Sequence, residues 1–181
     1  MKRYFIYTLL FLISQLVLGC ALTIKPAASK SAKSFYESFF VGEDGTQYFI
    51  KPLEFSAEGN QDKLFVDFTF RYKDELKDSG VVNVSIERGH IIKSLDDIIF
   101  TNTNSTVVLE DISLLFNEKK GQKFISRFSA KCSTKEMVDL FNDSNIKIEV
   151  KESDSSLSFF PNKNSQKAIR SLNDNLYILF K

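Results

Sequence analysis

Few side chains in this 181-residue sequence are of a type that does chemistry. There is one histidine, His90, and there are two cysteines, Cys20 and Cys132. A thiol beside an imidazole can form a nucleophilic pair, but no motif surrounds Cys132, and His90 follows Gly89 in a combination common in turns. The expectation is a small buried thiol at a strand end for Cys132 and a surface turn residue for His90. One histidine and one free cysteine do not make a zinc set without several carboxylates. The acidic pairs Asp96-Asp97 and Glu110-Asp111 are adjacent in sequence, so on a strand they point to opposite faces. They also lack the spacing of a calcium loop and are expected to be solvated. No glycine-rich phosphate loop and no Gly-x-Ser-x-Gly elbow is present. No catalytic, cofactor-binding or metal-binding residue is therefore nominated, and the chain is expected not to be an enzyme.

Cys20 has a context of its own. Lys2 and Arg3 precede a mostly apolar run from Tyr4 to Leu18, followed by Gly19 and Cys20. A charged start, an apolar middle and a small residue before the cut are the anatomy of a secretory signal. A spanning helix needs about 20 apolar residues; this run is shorter and carries Thr8, Ser14 and Gln15. A helix buried in a core would show a polar face, which Phe5 to Ile13 lacks. The segment Val17-Leu18-Gly19-Cys20 resembles the lipobox of bacterial lipoproteins. That resemblance implies removal of residues 1–19 and two or three acyl chains, such as palmitate, on Cys20. Single chains hold a protein only marginally, whereas two suffice. The membrane contact would then be the lipid on Cys20.

Cleavage before Cys20 removes 19 of the 181 residues and leaves 162, one domain's worth. It also removes Lys2 and Arg3, so that 22 basic residues face 23 acidic ones. A near-neutral chain offers no electrostatic case for nucleic acid. Cys132 would be left as a single thiol, so no intramolecular disulfide is expected. Phenylalanine is abundant at 18 residues, with six tyrosines and no tryptophan, and it can fill a β-rich core.

The remaining pattern concerns the elements that would carry any site. Residues 20–33 are small, polar and proline-containing, and read as a lipidated cysteine and flexible tether. Residues 34–181 read as a single globular β-rich domain. Ser34 to Val41 suits a short helix or a first strand, Glu43-Asp44-Gly45 a turn, and Thr46 to Phe55 a strand with Pro52 at an edge or break. Leu64 to Tyr72 has the clearest alternation of the chain, with Leu64, Val66, Phe68, Phe70 and Tyr72 on one face. A solvated loop from Lys73 to Gly80 leads to an antiparallel partner bearing Val82, Val84 and Ile86. Two apolar runs, Ser94–Phe100 and Thr106–Phe116, flank a turn-rich insert. After Lys119-Lys120-Gly121 another strand presents Phe124, Ser126, Phe128 and Ala130 on one face. Ser133 and Glu136 form a capping box ahead of a helix with Met137, Leu140 and Phe141. A strand with Ile146, Ile148 and Val150 follows, then a helix from Ser165 to about Leu176. The C-terminal Tyr177–Phe180 reads as a strand tucked into the sheet with a frayed Lys181. The fold class expected is β-rich α+β: an antiparallel β-sandwich or bent sheet with two late helices.

The lipobox, the Lys/Asn/Phe/Ile bias and the Ser-Ile-Glu-Arg-Gly-His block at residues 85–90 together resemble small surface lipoproteins of Lyme-disease-type spirochaetes. The resemblance implies an outer-membrane lipoprotein displayed at the cell surface that binds a host or envelope protein. It transfers no functional residue except Cys20. A second expectation is a structural or assembly role as an accessory subunit of an envelope complex.

Overall fold

A computed structural model describes residues 35–76, 79–153 and 155–180. The signal, Cys20, the tether and Lys181 lie outside the described residues.

The strand β3 (Lys63–Lys73) shows how alternation builds the fold. Leu64, Val66, Phe68 and Phe70 are buried, while Phe65, Asp67 and Thr69 on the opposite face remain half-buried. Its neighbours β2 (Thr46–Ala57) and β5 (Ser79–Arg88) pair with it antiparallel and bury Ile50, Leu53, Phe55, Val82, Val84 and Ile86 on that same face. Chain reversal from β3 runs through the two-residue β4 (Glu75–Leu76). The ordered strands take up much of what the sequence suggested was a loop over Lys73–Gly80.

The remaining strands are β1 (Tyr36–Phe40), β6 (Asp97–Thr101), β7 (Thr106–Val108), β8 (Glu110–Lys120), β9 (Lys123–Ser133), β10 (Lys147–Glu152) and β11 (Ser155–Pro161). They join one antiparallel sheet in the order β7-β6-β10-β11-β2-β3-β5-β9-β8, with β1 alongside β2 and β4 alongside β3. Its first and last members, β7 and β8, are separated in the chain by Leu109 alone. The segment from Thr106 onward therefore bonds first to β6 and then to β9, and the sheet curls until it nearly closes. Of the two architectures the sequence allowed, the bent sheet is the one formed.

Pro52 sits at the break expected for it. The register between β2 and β3 shifts between Ile50 and Leu53. On the other edge of β2, β1 pairs with Thr46–Ile50 and β11 with Phe55–Ala57. Pro52 falls between the two partners, where a missing N–H leaves no rung unmade.

Two helices follow β9 and β11. Ser133 caps α1 (Thr134–Leu140), its Oγ accepting from the Glu136 N–H at 3.3 Å. Asn162 caps α2 (Lys163–Asn175), its Oδ1 accepting from the Ser165 N–H at 2.9 Å. Met137, Val138 and Leu140 from α1 and Ala168, Ile169 and Leu172 from α2 enter the core. Tyr177–Phe180 forms a 3-10 turn, correcting the strand expected there. The aromatic rings decide this: Tyr177 is fully buried, and Phe180 packs edge-on against Tyr48 and Phe70 with centroids 5.4 and 5.5 Å apart. Tyr48 in turn stacks on Phe70, and Phe70 on Phe68. The phenylalanine-rich composition thus fills the concave side of the sheet.

Candidate interaction surface

The structure places His90 and Cys132 far apart. Cys132 lies opposite Gly80 at the start of β5, while His90 follows the end of that strand at Arg88. Gly80 and Arg88 are eight steps apart along the strand, which at about 3.3 Å per step is roughly 25 Å. The Cys132 thiol donates to the Gly80 carbonyl at 3.7 Å, and burial pushes its pKa up to about 12. It is held as a neutral thiol, away from the imidazole. His90 is exposed, with Nε2 3.8 Å from Glu152. Beside it Arg88 bridges Asp62 and Glu152, each at 3.0 Å, tying the β3 entry to β10.

A cleft of about 750 Å³ opens where the β6–β7 turn meets the end of α1, with Arg170 of α2 on one wall. Its polar groups largely hold the turn itself. Asn102 Nδ2 donates to the Leu140 carbonyl at 2.8 Å, and Asn102 Oδ1 accepts from the N–H groups of Asn104 and Ser105. Asp143 accepts from the Asn145 N–H and the Thr103 hydroxyl, and these bonds hold its carboxyl below the usual range. Among the described residues no group of His, Cys, Asp and Glu could hold a metal ion.

The surface that stands out is β8. Ten of its eleven residues are exposed, Ile112 being half-buried. Leu114, Leu115 and Phe116 are respectively 38, 53 and 44 % exposed, three consecutive apolar side chains in a strand. Among the described residues β8 pairs with β9 only, so its far edge carries unpaired backbone groups. Its register against β9 shifts between Glu110 and Ser113, where Asp111 takes φ 52°, and again between Leu114 and Phe116. Extra residues of this kind bend an edge.

Solvent-facing charges brace the sheet behind β8. Arg127, opposite Phe116, donates to Asp67 at 2.8 Å and to Ser85 at 2.7 Å, and Asn83 donates to the same carboxylate. At the ends of β8, Asp111 pairs with Lys131 at 2.8 Å and Lys120 with Glu87 at 3.2 Å. A second apolar group is exposed around β1, where Phe40 is 75 % exposed and Phe39 packs edge-on against Phe49.

In sequence Ile112, Leu114 and Phe116 fall within the apolar run Thr106–Phe116. The signals of an exposed strand are the unbroken Leu114-Leu115-Phe116 run and the charges that bracket it. Cys20, the one residue nominated from sequence, lies outside the described residues.

The chain matches no known protein-family model, no curated protein and no solved structure. The fold defines it as a β-rich α+β domain built on one nearly closed antiparallel sheet.

Proposed function

We propose that this is a lipid-anchored lipoprotein of the bacterial outer membrane, whose folded domain is a non-enzymatic interaction module. Val17-Leu18-Gly19-Cys20 supports the anchor. The observation that carries the interaction reading is the exposed apolar run Leu114–Phe116 on the unpaired edge of β8. A soluble domain rarely leaves consecutive large apolar residues on a free edge without a partner for them. The described fold begins at Phe35, 15 residues after Cys20, so the acyl chains would hold the domain near the bilayer.

Mass spectrometry of the mature N-terminus, for wild type and Cys20→Ala, tests the anchor. A lipid-modified Cys20 in membrane fractions, with release of the variant, is the expected result. An unmodified, soluble wild-type chain would overturn it. Protease treatment of intact cells then reports the side occupied. Cleavage supports display at the surface, and protection supports the reading of an accessory subunit of an envelope complex.

A further inference from the structure

We infer that the free edge of β8 pairs antiparallel with β8 of a second copy of this chain. The inference rests on β8 being the interaction surface and is independent of the lipid anchor.

The strand is charge-complementary to its own reverse. It opens with Glu110-Asp111, closes with Lys119-Lys120, and carries Leu114-Leu115-Phe116 between them. Laid antiparallel about a two-fold axis near Leu115, the acidic end of each copy meets the basic end of the other, and the apolar residues meet at the centre. A parallel copy would set acid beside acid and base beside base, which disfavours it. The existing pairs Asp111–Lys131 and Lys120–Glu87 involve exposed lysines and leave both ends open to a further partner.

The irregularity at Leu115 lies on the axis, so each copy meets the same bend in the other there, while the bend near Asp111 faces the regular stretch around Lys119 of the second copy. Pairing of this kind is isologous: each β8 satisfies the other, and assembly stops at two. That accounts for a long apolar edge on a chain that must not polymerise through it.

The test uses the full chain in detergent. Leu115→Cys, placed near the axis, is oxidised mildly beside the wild type, which has only Cys20 and Cys132, and beside Glu58→Cys in the exposed turn between β2 and β3. A disulfide-linked dimer specific to Leu115→Cys is expected. Adding Lys119→Glu with Lys120→Glu makes both ends of β8 acidic, and adding Glu110→Lys with Asp111→Asn leaves both ends basic. The asparagine suits the positive φ at position 111. Each charge variant alone should lose at least tenfold of the cross-linked product, and mixing the two should restore it as a heterodimer. Unchanged circular dichroism and melting show that all variants fold. The proposal is overturned if Leu115→Cys cross-links no more than Glu58→Cys, or if mixing fails to restore the product. If β8 changes abolish capture of some other partner while no dimer forms, self-pairing is overturned and the interaction reading stands.

Discussion

The Leu109 N–H donates to the Ile98 carbonyl at 3.0 Å, and this bond is the junction at which the sheet turns back on itself. Up to Leu109 the chain belongs with β6; beyond it the chain belongs with β9. The Leu109 side chain points into the core and is almost fully buried, so the closure is held by packing as well as by the backbone.

Leu109→Ala should therefore cost about 2–4 kcal/mol, the usual range for emptying a buried leucine site. Urea unfolding followed by tyrosine fluorescence or circular dichroism would measure it. Hydrogen exchange should also speed at β6 and β7 more than at β3, because the variant weakens the seam and leaves the long strands paired. Uniform acceleration across the sheet would argue against a local seam.

Ser165 joins the late helix to the sheet. Its Oγ, in the first turn of α2, accepts from the Glu54 N–H of β2 at 2.8 Å, and the residue is buried. Ser165→Ala leaves that N–H without its acceptor, which costs about 1–3 kcal/mol when no water replaces it. Equilibrium unfolding should show the loss, and exchange at the Glu54 amide should rise. Ser165→Thr retains the acceptor and should recover part of the protection at that amide.

How far the fold was legible depends on whether its causes are local. The alternation of β3 and the capping serine of α1 are written within a few residues, and both are where the sequence puts them. β11 was not legible: Ser155-Ser156-Leu157-Ser158 is poor in β-branched residues, and its strand state comes from pairing with β10 and β2. The closure at Leu109 is likewise a long-range pairing with no local signature. For the interaction surface, the apolar run Thr106–Phe116 looks the same whether its strand is central or at an edge, so exposure of Leu114 and Phe116 became visible only with the sheet order. The N-terminal pattern around Cys20, by contrast, is a linear signal and needs no fold to be read.

Gly80 is required by a close approach of side chains. A Cβ there would lie 2.5 Å from Phe68 Cε2 and 3.1 Å from Thr134 Oγ1, both fixed in the core. Phe68 is nearly fully buried and stacked on Phe70, so it has no free direction to move. Gly80→Ala should destabilise the protein by about 1–3 kcal/mol through overpacking. The midpoint of thermal unfolding checks this; an unchanged or higher midpoint would mean that the Phe68 ring can shift without cost.

Cys132 gives a pH dependence with a defined sign. Its usual pKa of 9.0 rises to about 12 in the folded protein because burial disfavours the thiolate. The unfolded chain releases this proton first, so the thiol's contribution to stability is complete below pH about 9 and is lost as pH rises toward about 12. Stability measured by urea unfolding should fall more steeply across that window in wild type than in Cys132→Ala, whatever offset the substitution introduces at neutral pH. The same burial predicts that a thiol reagent modifies Cys132 slowly in the native protein at pH 8 and rapidly in denaturant, since the thiolate is the reactive form. Rapid native modification with equal pH slopes in the two proteins would show instead that the start of β5 opens readily and exposes the thiol.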